Sequence, residues 1–480
     1  MKITKQSRLF GMPGVGPAVS STALAFGLAL SVATAPARAG DLAEIYQLAL
    51  DNDATYQIAR LTHQSNEVDL PLAETGFKPQ VSASGTMGRT LANPTGVTTT
   101  EPAHSASLSA GIVLYDKTMK MGINQTGLSV DASLLALEKA RDDLILRVAS
   151  RYFSLLSAMD QREVARVQKK AIDRQMELAN ERLEVGLGTK TDLFDAKARL
   201  QQATADEIKA QNLINNHRAL LAEMIGGDPG DIVPLASDAP LELPVPAEVD
   251  AWVAQALEKN TDLKIQEINL EVARIEIDKK KITRNPTVSF GASHSWSETG
   301  VAGSHSDSSR TAVSLSVDIP IYNGGAISLS QQKAERQHQL AEQVLKHTEN
   351  QTTTATISEF LAVNSQLNQA NALREAIVAG ENALEAKEEG FKAGLTTNLD
   401  VLDAQRDLSR SQKDYLQARY DYILSTLSLE RVTGQLDEDD ISRINGWLGE
   451  SAKVSWRPEI NPEFVSVIPE LGFEFYAFID

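Results

Sequence analysis

The sequence predicts a mainly α fold with a small β part, built as two tandem copies of one unit: helix, β-hairpin, long antiparallel helices. Two observations carry this expectation. Sliding the chain against itself by 207 to 208 residues brings Pro79-Gln80-Val81-Ser82 onto Pro286-Thr287-Val288-Ser289, Tyr115 onto Tyr322, Gly186-Leu187 onto Gly394-Leu395 and Gly226 onto Gly434. Within each copy the apolar period changes from helical to two residues and back again. The expected organisation is a signal peptide at 1–39, a first repeat at 40–233, a proline-rich linker at 234–247 ("PLASDAPLELPVP" over Pro234–Pro246), a second repeat at 248–436 and a C-terminal tail at 437–480.

The elements follow in order. Lys2, Lys5 and Arg8, an apolar stretch from Ala23 to Ala33 and Ala37-Arg38-Ala39 read as a cleaved secretory signal, with a mature start at Gly40. Asp41 to Ala73 is helical in pattern until Lys78-Pro79 breaks it. Period two then takes over: Val81, Ala83, Gly85 and Met87 alternate with Gln80, Ser82, Ser84 and Thr86, and Ala106, Leu108, Ala110, Ile112 and Leu114 alternate with small or polar residues. The second copy repeats this with Val288, Phe290 and Ala292, then Val313, Leu315, Val317 and Ile319. The tips, Ala92–Pro102 and Thr299–Ser309, are rich in Gly, Ser and Thr, and Trp296 near one of them is placed as a membrane-interface anchor.

One apolar and one small polar face fit a soluble sheet with a wet side, or an outer-membrane strand with lipid outside and water inside. Four strands cannot close a barrel, and lipid does not tolerate an open edge. The membrane reading therefore needs several chains, and three chains of four strands supply twelve.

The pattern from Thr118 to Val185 stays helical without proline, long enough to reach roughly 100 Å at about 1.5 Å per residue. The chain turns at Gly186 and returns from Asp192 to Ile225; the second copy offers Ile327–Lys392 and Asp400–Thr433. Such helices, rich in Ala, Leu and Gln, are best buried side by side in coiled-coil fashion.

Composition excludes several classes. With no cysteine the exported chain has no disulfide, no thiol nucleophile and no lipoprotein anchor. A net charge of -18 argues against nucleic acid. No HExxH, GxSxG, P-loop or Cys/His cluster follows the signal, so no enzyme, cofactor or metal is expected.

Both turns carry paired aspartates, Asp192 with Asp195 and Asp400 with Asp403. An Asp at a helix start satisfies free amides. The second of each pair lies one turn further in, beyond what capping requires. Around a threefold axis the inner pair would give six carboxylates and both turns twelve, a ring that attracts cations and, by crowding like charges, raises some of their pKa values. As a glycosidase pair, Asp400 and Asp403 lack an aromatic-lined cleft.

Taken together, the duplicated units, the turns "VGLGT" and "AGLTT", "DVLDA" at Asp400–Ala404 and "IPIYNGG" at Ile319–Gly325 resemble the TolC family of outer-membrane efflux and type I secretion channels, over about residues 41–436. The resemblance implies a homotrimer in the outer membrane of a Gram-negative bacterium: a 12-stranded barrel continued by a periplasmic α-helical tunnel, closed at its inner end by coiled helices. It implies as partners a periplasmic adaptor, an ABC-type or proton-driven inner-membrane transporter and outer-membrane lipid. Asp400 and Asp403 match the family's entrance aspartates, with Asp192 and Asp195 as secondary contributors. Val185, Gly186 and Leu187, with Ala393, Gly394 and Leu395, match the tip turns that meet the adaptor. Where the best-known pattern has a tyrosine and an arginine that tie the closed entrance, this chain has Phe391 and Thr396, so its closed state must use other links or be looser. The rival reading is a soluble periplasmic coiled-coil adaptor or structural protein, whose strands would form ordinary soluble sheet.

Overall fold

A computed structural model of the chain describes residues 40–92, 99–237, 239–301 and 304–449. The expected signal peptide and the aromatic C-terminal segment Gly472–Asp480 lie outside the described residues. The first copy runs α1 (Leu42–Asn52), α2 (Ala54–Glu74), β1 (Gln80–Ala92), β2 (Thr99–Tyr115), α3 (Lys117–Glu184) and α4 (Lys190–Ile225). The second runs α5 (Val249–Lys259), α6 (Thr261–Lys281), β3 (Thr287–Val301), β4 (Ser304–Asp318), α7 (Ala326–Lys392) and α8 (Asn398–Val432), and α9 (Glu438–Asn445) follows.

The helix expected as one piece from Asp41 to Ala73 is two. Asp53 ends α1 and caps α2, its carboxylate accepting from the Tyr56 amide at 2.8 Å and pairing with Arg147 at 2.8 Å. Asn260 does the same between α5 and α6, accepting from the Leu263 amide at 3.0 Å. The break is duplicated, and its cause is a side-chain oxygen competing for the backbone at a helix start.

The strands form one antiparallel sheet in the order β1-β2-β3-β4, leaving an edge on β1 and on β4 that no strand among the described residues pairs. They run further than the patterned cores suggested, into both segments read as hairpin tips. The register collects the alternation of all four strands onto common faces. Val81, Ala110, Ala292 and Val313 stand in one row, Ile112, Phe290 and Leu315 in another, and Trp296 sits in the row of Gly85 and Ala106. The opposite face is lined with hydroxyls that bond across strands, Ser82 with Ser109, Ser84 with Ser107 and Ser297 with Ser308, each at 2.8 Å. Tyr115 pairs with Val288 past a bulge beyond Val113, where β2 bends toward α3.

Below the sheet α3, of 68 residues, packs against α2 near the strands and against α4 along its lower part; α6 and α8 divide α7 in the same way. At about 1.5 Å per residue α3 is about 100 Å long. Contacts of α3 with α6 and α8 join the two copies into one wall. The largest hydrophobic core is a belt at mid-height. There Leu144, Val148, Tyr152 and Phe153 of α3 meet α1, the ends of α4 and α8, Phe360 and Val363 of α7 and Ile441 and Ile444 of α9. Phe153 lies between Tyr152, met edge-to-face, and Tyr420, tilted against it, with ring centroids 5.6 and 5.5 Å away.

Asp437–Asp440, expected to open a solvated tail, instead starts α9. Asp437 and Asp440 form a reciprocal capping box, and Ile441 and Ile444 are buried in the belt. The proline-rich linker is held along the same belt, with Ala236 donating to the Trp447 carbonyl at 2.9 Å and Tyr422 donating to the Glu242 carbonyl at 2.7 Å.

The belt contains carboxyls that burial pushes upward. Asp142 and Asp160 rise to about 6, and Glu430 to about 7 through burial and then the nearby Asp440 charge. Arg443 binds one oxygen of Glu430 at 2.7 Å, while the other, buried, has no hydrogen-bond partner. A pKa raised in the folded state stabilises the protein below the unfolded value, about 4.3 for Glu, and that contribution is lost as pH rises through the folded value. The expected outcome is a urea midpoint that falls from pH 5 to pH 8, with a smaller fall in Glu430→Gln; equal falls in both proteins would remove Glu430 from the cause. Glu276, held down at about 2, acts below that window.

Candidate functional site at the helix tips

At the far end of the helices α3 turns into α4 through Val185–Thr189, and α7 into α8 through Ala393–Thr397. Gly186 and Gly394 take φ of 75° and 77°, a left-handed conformation that L side chains resist and helix C-termini need. The helices after the turns start two residues earlier than read, with Thr189 and Thr397 as N-caps. Asp192 and Asp400 stand at the third position of capping boxes. Thr397 donates its amide (2.9 Å) and hydroxyl (2.6 Å) to Asp400, and the Asp400 amide donates back to the Thr397 hydroxyl at 3.2 Å. Asp192 and Thr189 repeat the arrangement. Hydrogen bonds from the Thr397 hydroxyl, then its amide, hold the Asp400 carboxyl below the usual range. Within one chain this is opposite to the rise expected from crowded like charges.

The second aspartates differ between the copies. Asp195 is exposed and makes no hydrogen bond or ion pair among the described residues. Asp403 lies between two arginines, Arg199 of α4 at 3.0 Å and Arg406 of its own helix at 3.3 Å. Its pair with Arg199 ties the α7–α8 coil to the α3–α4 coil. Three further contacts do the same. Buried Asn398 accepts from Gln175 at 2.6 Å and donates to the Asp192 carbonyl at 3.2 Å. Arg182 donates to the Phe391 carbonyl at 2.9 Å, with its guanidinium 4.6 Å from that ring's centroid. Leu402 is buried in one cluster with Ala196, Ala203 and Ile172.

Phe391 is thus a buried platform for Arg182 and brings the two coils together. Thr396 does not. Its hydroxyl donates to the Lys387 carbonyl at 2.9 Å, closing the end of its own helix α7. Arg182, Arg199, Gln175 and Asn398 were not singled out from the sequence. The only local signal is an arginine one turn after the aspartate in each copy, Arg199 and Arg406, and that spacing points to a pair within a helix. Beyond the links, the tips expose apolar side chains: Val185 at 69%, Leu187 at 74% and Leu395 at 83%. Gly186, Gly394 and Ala393 lie between them.

No helix among the described residues is long and apolar enough to cross a membrane. The sheet has what a spanning strand layer needs, an apolar face, a hydroxyl face and tight cross-strand pairing. Sheet, long helical wall and charged helix tips define the class: an outer-membrane channel of barrel and tunnel. The family model for outer membrane efflux protein matches residues 45–227 and 252–435, once per copy. The chain is 28% identical over 432 residues to outer membrane protein TolC of Vibrio cholerae, covering 88% of this chain and 96% of that one. To the alkaline protease secretion protein AprF of Pseudomonas aeruginosa it is 27% identical over 444 residues, 87% and 89% of the two chains. Crystal structures of CusC, described in connection with transmembrane channel formation, share the fold with a TM-score of 0.71 at 19% identity, covering 82% of this chain and 92% of that one. The chain belongs to the outer membrane efflux protein family. It is an outer-membrane efflux channel, in a family of channels and not of enzymes.

The capping geometry generates a test. Thr397→Ala removes the N-cap hydroxyl and should cost the start of α8 about 0.5 to 2 kcal/mol. Hydrogen exchange of the amides at 398–401 should quicken accordingly, and unchanged protection there would mean that Asn398 and the packed tip hold the helix without the box.

Proposed function

We propose that three copies of this chain close into one conduit, which receives substrate at the helix tips from an inner-membrane transporter through a periplasmic adaptor and releases it beyond the barrel. The observation that carries this reading is the four-stranded sheet with one apolar face, one hydroxyl face and two unpaired edges. Backbone groups on an edge have no water to bind in lipid, so each edge must pair with another chain. Three copies complete a twelve-stranded barrel within the even-numbered series of such barrels. The exposed apolar residues along α2 (Ile58, Leu61, Val68, Leu72) and along α7 (Leu329, Leu340, Leu361) stand on the outermost helices of the wall, placed to meet neighbouring copies.

The tips divide into two functions. Val185, Leu187 and Leu395, held out by their left-handed glycines, offer the adaptor an apolar knob on each coil. Asp400, Asp192 and Asp195 supply the net negative charge of the entrance, while Asp403 is compensated by Arg199 and Arg406. Closure rests on the links between coils in place of the family's tyrosine and arginine. Energy comes from the transporter, and the channel is passive.

Two measurements test this. The protein should fractionate with the outer membrane as a trimer and show a small resting conductance in a planar bilayer; no conductance from folded trimer would sink the conduit reading. Replacing Arg182 and Arg199 together with alanine removes a cation–π contact and a half-exposed ion pair, together about 1 to 2 kcal/mol. That loss multiplies the open fraction roughly five- to thirtyfold. A resting conductance equal to wild type would show that these links do not hold the entrance.

A further inference from the structure

Along the hydroxyl face of the sheet one charged side chain breaks the pattern. The rows run Gln80, Gly111, Gly291, Ser314; then Ser82, Ser109, Ser293, Ala312; then Ser84, Ser107, Ser295, Arg310; then Thr86, Ser105, Ser297, Ser308. Arg310 is the sole ionic residue in these four rows. It is exposed and makes no hydrogen bond or ion pair among the described residues. On the same face, Asp318 stands four rows toward the helices by register, too far along the strand to neutralise it. The hydroxyls of Ser293 and Ser295, diagonal and opposite to Arg310, bond to no protein group among the described residues.

We propose that Arg310 is a selectivity site for oxyanions inside the barrel. The inference rests on the trimeric conduit, in which the hydroxyl face lines the lumen and each copy contributes one guanidinium at the same height. A guanidinium is always charged and presents paired N–H donors that match a carboxylate or phosphate. Here it has no carboxylate partner and two hydroxyls beside it, which is the donor set of an open oxyanion site. The conduit therefore carries opposite charges at its two ends, carboxylates at the helix tips and a ring of three guanidiniums in the barrel. A solute bearing phosphate, sulfate or carboxylate groups meets attraction where it leaves.

The test uses the full-length trimer in a planar bilayer, comparing wild type with Arg310→Gln and Arg310→Lys. In a KCl gradient at low ionic strength, Arg310→Gln should raise the K⁺ to Cl⁻ permeability ratio by at least about sevenfold, since one unit charge at about 7 Å through water shifts K⁺ and Cl⁻ about threefold each in opposite directions and the trimer loses three such charges, and Arg310→Lys should restore the wild-type ratio. Inorganic pyrophosphate added on the barrel side should reduce wild-type conductance and leave Arg310→Gln unaffected. Raising the salt to about 1 M, where the Debye length is about 3 Å, should erase the selectivity difference. Channels of Arg310→Gln with wild-type selectivity and wild-type sensitivity to pyrophosphate would overturn the proposal while leaving the conduit standing. Absence of any conductance in wild type would instead remove the conduit on which it rests.

Discussion

An unpaired strand edge cannot face hydrocarbon, and most of this architecture follows from that constraint. Four strands are too few to curl back on themselves, so β1 and β4 present backbone groups that no other strand among the described residues satisfies. Duplication answers part of the requirement. A single copy would bring one hairpin; two copies bring four strands in one register, with their apolar faces aligned across the β2–β3 seam where the copies join. The same seam continues below the membrane as the packing of α3 on α6, so sheet and wall are one surface.

A wall about 100 Å long cannot be stabilised uniformly, because a pair of slender helices buries little apart from the stripe between them. The structure concentrates its core at mid-height, where α1, α5, α9 and the linker wrap the long helices and add their apolar side chains to Tyr152, Phe153, Phe360 and Tyr420 of the coils. Toward the tips the buried apolar cluster shrinks to Ile172, Ala196, Ala203 and Leu402. What joins the coils there is largely polar: an ion pair, an amide bridge and an arginine over a ring. Each such contact is individually weak in a solvated setting. A region held this way opens at lower cost than the belt.

Much of this was legible in the sequence because it depends on period and duplication. The strands, the four long helices, their turns and the glycines that reverse them all follow from local patterns repeated at a fixed spacing. Three things did not. The break at Asp53 hid inside a continuous helical pattern, since only the carboxylate's grip on the Tyr56 amide distinguishes it. Helix α9 was masked by its own acidic capping box, which reads as a solvated run until Ile441 and Ile444 are seen in the belt. The links between the coils join residues about 200 positions apart, as Arg199 to Asp403, and side-chain type alone does not reveal such contacts.

The two aspartates of the inner turn show why identical residues in a repeated motif are not identical groups. Asp400 spends its oxygen on its own helix start, and the bonds that hold it there favour the charged form, so capping and negative charge at the tip are the same fact. Asp403, one turn on, is flanked by cations on both sides and contributes little net field. Its copy Asp195 has no such partners and keeps its charge toward solvent. The motif was duplicated, and the packing of one coil on the other then separated its members: charge for Asp400 and Asp195, cohesion for Asp403. If the links part when the coils move, Arg199 no longer screens Asp403, and the tips become more negative as they separate. Opening and cation attraction are then coupled through one carboxylate, with no further device needed.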